Sequence, residues 1–187
     1  MLECVGEQGF AAATVPRVVA RAKVSRNAFY ELFSDKLSCF LALCDELADE
    51  VRQQLLPAQP TDWISALRQG TRRYLRWWQE RPTWSRTYLL EAPAAGPQAR
   101  AQRQRQYARF EEMFVGLAAW ARAEQPDLPA LWPLAPRVIV SGVTELIADQ
   151  VAAGRFEHLV ELEDDVMFLI LTLLADDATA RRETGRG

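Results

Sequence analysis

Two short apolar-striped segments, 14–22 and 25–33, are separated by only Lys23 and Val24, and no other feature constrains the fold so tightly. Within each segment apolar residues recur at three and four, the period of a helix packed on one side. Thr14 stands as N-cap with Pro16 in the first turn behind it, and Ser25 opens the second segment, so both have helix-start chemistry. A two-residue connection is too tight to fold the helices back antiparallel. They cross steeply, as in a helix-turn-helix. Val18, Val19, Val24, Phe29 and Phe33 supply the small core of such a unit. A cap at Ser25 leaves Arg26, Asn27 and Ala28 at the exposed start of the second helix, the end that enters the major groove in this motif.

The rest of the chain is helical by the same criterion. No sustained alternation bounded by hairpin turns is present. A third helix is predicted over 35–56, ended by Pro57 and Pro60. The proline-rich stretch 56–61 is the best domain boundary. Thr61 is expected to cap a helix over 61–80 with the stripe Ile64, Leu67, Thr71, Tyr74, Leu75 and Trp78. A short helix over 82–91 is broken by APAAGP at 92–97, and a long one runs to 124. An irregular connection carries Pro126, Pro129, Pro133 and Pro136, and helices over 137–153 and 162–175 follow. The expected architecture is all-α. Residues 1–56 form a three-helix helix-turn-helix domain with a shortened first helix. Residues 57–178 form a larger effector-binding and dimerisation domain, and 179–187 a frayed tail.

Composition narrows the function. Of 187 residues, 49% are hydrophobic and 25% charged, enough apolar material for a real core. No run is long enough to span a bilayer, so no membrane partner is expected. The acidic start MLECVGEQGF lacks the basic region of a signal peptide, which predicts a cytoplasmic protein. Cys4, Cys39 and Cys44 have no metal-ligand spacing and one histidine, His158, beside them. They read as small apolar core residues, with a redox-sensing thiol as the other reading. No catalytic set, metal site or cofactor motif is found, so an enzyme is not expected. The net charge of −3 is unevenly spread. Residues 64–110 hold ten basic and two acidic groups, and residues 111–187 six and fourteen. That excess is either a solvated face paired with the acidic C-terminal third or a site for an anionic effector. Locally, 10–36 carries five basic and two acidic groups, which suits a DNA surface.

The stretch 9–40 resembles the DNA-binding domain of the tetracycline-repressor (TetR) family. That pattern runs roughly G-[FY]-x3-T, then A-G-V-S-x-x-x-[FL]-Y-x-[HY]-F-x-x-K. Gly9-Phe10, Thr14, Ala22, Val24-Ser25, Phe29-Tyr30, Phe33 and Lys36 stand in register with it. The resemblance implies DNA contacts from Thr14, Arg17, Lys23, Ser25, Arg26, Asn27, Ala28, Tyr30 and Lys36. Tyr30 and Lys36 fall at its phosphate-contact positions, and Arg26 and Asn27 where bases are read. Arginine suits guanine and asparagine adenine. Three departures stand out. Lys23 replaces the usual turn glycine, Glu31 and Leu32 occupy positions often basic and aromatic, and eight residues precede Gly9 where about 15 to 20 are usual.

The resemblance further implies a homodimer on a palindromic double-stranded operator, with a small-molecule effector bound in the body. Aromatic clustering makes Trp77, Trp84, Tyr88, Phe110, Phe114 and Trp120 candidates for a hydrophobic effector site, with Glu91 and Tyr107 as polar anchors. Plain core is the competing reading. Val143, Leu146, Ile147, Val151, Val166, Ile170 and Leu173, on the last two helices, are the candidate dimer face. The expected function is a ligand-responsive transcriptional regulator, a repressor released by its effector. The alternative is a sensor or interaction module on the same fold that no longer binds DNA.

Overall fold

Among the described residues, four helices begin where a short polar side chain, Ser25, Asp35, Asp62 or Asp176, accepts from a free amide of the first turn. Helices α2 (Val15–Ala22), α3 (Arg26–Leu32) and α4 (Lys36–Gln54) follow α1 (Leu2–Ala12). Ser25 accepts from the Ala28 amide at 3.0 Å. Asp35 accepts from the Ser38 amide at 2.7 Å while Ser38 Oγ takes the Asp35 amide at 3.1 Å, a reciprocal capping box. The structure, a computed structural model, describes residues 1–55 and 61–186. Most of the expected boundary at 56–61 therefore lies outside the described residues. The next cap is Asp62, not Thr61. Its carboxylate accepts from the Ser65 amide at 2.8 Å and starts α5 (Trp63–Gln79), while Thr61 donates to it at 2.9 Å. Those hydrogen bonds hold the Asp62 carboxyl below its ordinary pKa, so it is ionised where a helix N-terminus favours negative charge.

Helix α6 (Pro82–Ser85) runs without a break into a π-helical segment, Arg86–Glu91, and then α7 (Ala92–Ala94). The chain turns at Gly96, whose φ of 107° only glycine adopts readily. The predicted break at 92–97 thus starts three residues late, since alanine-rich 92–94 still propagates the helix. Helix α8 (Pro97–Glu124) is the longest, and α9 (Ala135–Ala152), a 3-10 stretch (Phe156–Leu162) and α10 (Glu163–Leu174) follow. The segment 179–184, expected as part of a frayed tail, is helical. Asp176 caps α11 (Asp177–Thr184), and Ala180 is fully buried against α10. No helix among the described residues is long and apolar enough to cross a membrane.

One continuous core joins the N-terminal helices to the body through Phe40, Leu47, Trp63, Leu75 and Ile147. All three cysteines are buried and unpaired, and burial pushes the Cys44 thiol up to about 12. Cys44 therefore stays a neutral core thiol. The arginine excess of α5 faces the acidic C-terminal third. Buried Glu163 receives Arg72 at 2.6 and 3.0 Å and Arg68 at 3.3 Å, and Arg68 also reaches the Glu183 carbonyl on α11 at 2.5 Å. Glu163→Ala should destabilise the protein by about 1–3 kcal/mol, the range for charged hydrogen bonds whose partners remain partly solvated. In a thermal melt this is a fall of roughly 2–4 °C per kcal/mol at this chain length. An unchanged Tm would mean that the ion pairs do not tie α5 to α10 and α11.

Candidate nucleic-acid interface and effector cavity

Helices α2 and α3 are joined by a turn in which the Val24 amide donates to the Val19 carbonyl at 3.1 Å. Lys23 closes the turn in the left-handed conformation, φ 56° and ψ 39°. The position needs positive φ, which is the reason a glycine would be favoured there. An L-residue loses about 1–2 kcal/mol in that conformation, and a glycine returns about 0.5–1 kcal/mol through its freer unfolded chain. Lys23→Gly should therefore raise stability by up to about 1 kcal/mol, seen as a higher urea midpoint. A lower midpoint would show that the lysine side chain holds the turn. Val24 is 48% exposed and lies outside the small core, which consists of Val18, Val19 and Phe29 with half-buried Phe33. Its side chain follows a residue of reversed backbone hand and is turned outward.

Thr14, Arg17, Lys23, Ser25, Arg26, Asn27 and Tyr30 are all exposed, and Ala28 is half-buried. Arg26 and Asn27 open α3, with the Ser25 hydroxyl oxygen occupied by its cap. Tyr30 is 55% exposed and packs edge-on against Phe29, with ring centroids 5.3 Å apart. Arg17 bonds Gln8 of α1. Glu31 and Leu32 are exposed at the other end of α3.

Lys36 is tied into the fold. Its ammonium donates to the carbonyls of Phe10 at 2.8 Å and Ala11 at 3.3 Å, 4.3 Å above the Phe10 ring centroid. It closes the end of α1. The reason lies in Gly9, whose φ of 80° and ψ of 162° break the helical path. That kink frees the Phe10 amide, which donates to Glu91 Oε2 at 2.8 Å. A Cβ on residue 9 would stand 3.1 Å from the same oxygen. Glu91, expected as an effector anchor, instead clasps the N-terminal domain to the π-helical segment of the body.

A cavity of about 260 Å³ opens inside the body. Of the expected effector residues, Tyr88, Tyr107, Phe110, Phe114 and Trp120 line it. Trp77 and Trp84 do not. They form a separate edge-to-face pair at 5.8 Å on another side of α5, with the Arg81 guanidinium 5.0 Å from the Trp77 ring centroid. Tyr74, Trp78, Met113 and Thr144 line the cavity and were not in that set. The spacing of Thr71, Tyr74 and Trp78 along one stripe of α5 was the available signal. No charged side chain lines the cavity among the described residues. Its wall is tied to α4: Tyr88 donates to Gln106 Oε1 at 2.8 Å, and Gln106 Nε2 donates to Cys44 O at 3.2 Å and Asp45 Oδ1 at 2.9 Å.

The candidate dimer face changes most. Val143, Ile147, Val151, Val166 and Ile170 are at most 7% exposed within the single chain. They are core, and Val143, Val166 and Ile170 face the cavity. Only Leu146 and half-buried Leu173 of that set reach the surface, where Val138 and Leu134 are also exposed. Helices packed on two sides are apolar nearly all round, so their stripes do not mark the outer face.

An N-terminal helix-turn-helix is carried by a long helix onto a larger helical body with an apolar cavity. Residues 2–43 match the family model of the tetR-family bacterial regulatory proteins. No curated protein sequence matches the chain. Its fold is similar to that of the fatty acid degradation regulator FadR from Bacillus halodurans, with a TM-score of 0.74 and 17% identity over 92% of this chain and 90% of that one. It is also similar to FadR from Bacillus subtilis, solved in complex with stearoyl-CoA, with a TM-score of 0.76 and 15% identity over 94% of each chain. A tetR-family regulatory protein from Rhodococcus gives a TM-score of 0.63 and 17% identity over 98% and 88%.

Proposed function

We propose that this protein is a ligand-responsive transcriptional repressor that binds a palindromic operator as a homodimer and leaves it when a small effector fills the cavity. The observation that carries this reading is the free polar start of α3. Arg26, Asn27 and Tyr30 are exposed together, with no ion pair among the described residues, on a helix capped so that its first turn faces outward. Two such helices would have to lie about 34–36 Å apart to meet successive major grooves. Exposed Val138 and Leu146 on α9 form the apolar surface that a second copy would cover.

The cavity supports an effector with an apolar tail, and the stearoyl-CoA in the B. subtilis neighbour fits the same chemistry. Effector and operator affinity would be coupled reciprocally. Val51 and Leu55 of α4 in the cavity wall, the Tyr88–Gln106 tie to α4 and the Glu91 clasp on α1 would connect the cavity to the N-terminal helices.

The test is fluorescence anisotropy with DNA from immediately upstream of the gene, across a salt series. Preference over random DNA, a steep fall with salt and weaker binding by Tyr30→Ala are expected. No preference over random DNA would instead favour an interaction module, for which Leu32, 76% exposed on α3, is the motivating feature.

A further inference from the structure

The cavity differs between its two ends. Helices α4 and α8 run side by side in the same direction: Gln102 donates to Leu41 O at 2.6 Å, Gln106 to Cys44 O at 3.2 Å, and Arg109 pairs with Asp49 at 3.3 Å. This register sets Tyr107 beside the middle of α4 and Gly116 towards its end at Leu55, which also lines the cavity. The nine residue steps from Tyr107 to Gly116 span about 13 Å of helix. The Gly116 end is exposed and apolar, with half-buried Leu55, Met113 and Leu117. The Tyr107 end is closed: Tyr88 and Tyr107 are 7% exposed and Thr144 5%.

Behind the closed end, Gln106 and Arg103 back the cavity-lining Tyr88 and Tyr107 from outside the cavity, and one of these polar groups is unfinished. Tyr88 gives its proton to Gln106. The Tyr107 oxygen instead accepts from Arg103 Nε at 2.8 Å. Its own proton has no acceptor among the described residues. The Arg103 guanidinium lies 5.1 Å from the Tyr107 ring centroid, and its side chain is 16% exposed. Glu145, at 3.4 Å, is its solvent-side partner. A buried donor without an acceptor is costly, and a cation behind it polarises the O–H towards an anion.

We propose that the effector is an amphipathic monocarboxylate, its carboxylate accepting the Tyr107 proton at the closed end and its apolar tail lying along α8 towards Gly116. The inference rests on the cavity being the effector site. A buried carboxylate requires a donor and a nearby cation, and Tyr107 and Arg103 supply both. Burial keeps the neighbouring phenols neutral donors, with Tyr74 pushed up to about 12. A ligand with a bulky head outside the Gly116 end, such as a coenzyme A thioester, would bring an alkyl terminus to Tyr107 and leave its proton unpaired.

The experiment follows the fluorescence of N-phenyl-1-naphthylamine, a neutral apolar reporter, displaced by dodecanoate, dodecanol or lauroyl-CoA. Dodecanoate is expected to compete best. Tyr107→Phe should weaken it about 10–100-fold, the equivalent of a charge-assisted hydrogen bond, while reporter and dodecanol change less than about threefold. Arg103→Gln should also weaken dodecanoate selectively, which separates the charge from the packing of the phenol. Equal competition by dodecanoate in wild type and Tyr107→Phe would overturn the proposal and leave the cavity as effector site. So would lauroyl-CoA binding more tightly than dodecanoate and indifferent to Tyr107. A reporter that binds neither protein would overturn the cavity reading, and this inference with it.

Discussion

Phe40→Ala is expected to remove about 3–5 kcal/mol of folding stability, the usual range for deleting a fully buried aromatic side chain. Phe40 is completely buried, and its ring lies 4.6 Å from that of Phe10, which is itself covered by the Lys36 ammonium. The residue therefore joins α1 to α4 beneath the helix-turn-helix. Single domains retain about 5–15 kcal/mol, so a loss of this size should melt the N-terminal helices first. Urea unfolding followed by far-UV circular dichroism should show the midpoint falling by about 2 M, or a separate early transition. A shift below about 0.5 M would mean that the α1–α4 contact contributes little. In Phe40→Ala, DNA binding should be lost at temperatures where the effector cavity still binds its reporter.

Arg26→Ala is the largest expected effect on recognition. Arg26 opens α3, is exposed, and has no ion-pair partner among the described residues. A guanidinium reading guanine in the major groove contributes about 1–3 kcal/mol of discrimination. Operator affinity should fall by about 5- to 150-fold while affinity for random DNA changes less than threefold. Anisotropy titrations of both DNAs at one salt concentration measure this. Equal loss on both would identify Arg26 as a phosphate contact. Lys36→Ala should behave differently and lower thermal stability as well, because its ammonium closes the end of α1 on two carbonyls.

Local chemistry was legible in the order of residues. The helix-turn-helix, the cap at Ser25 and the long α8 all follow from spacing within a few residues. Short-range competition explains most boundary errors: Asp62 outbids Thr61 as a cap because a carboxylate accepts more strongly from amides. The alanines of 92–94 carry the helix past a proline tolerated in its first turn.

Which helix face meets what is a different kind of information. The stripes of α9 and α10 show that Val143, Ile147 and Ile170 avoid water, but core, cavity wall and dimer face all recruit the same side chains. Trp77 and Trp78 are adjacent in sequence, yet one packs with Trp84 and the other lines the cavity. Glu91 was a candidate polar anchor for the effector; its partner is an amide 81 residues away, released by the kink at Gly9. The sequence by itself determined that this chain is helical, that residues 14–33 form a helix-turn-helix, and that its body is rich in aromatic residues. Tertiary structure alone decided that Glu91 clasps the two parts together, that most of the expected dimer face is core, and that Tyr107 is left with a proton to give. The physical reason is range: helix periodicity and capping act over three or four residues, whereas burial and hydrogen-bond satisfaction depend on groups brought together from distant parts of the chain.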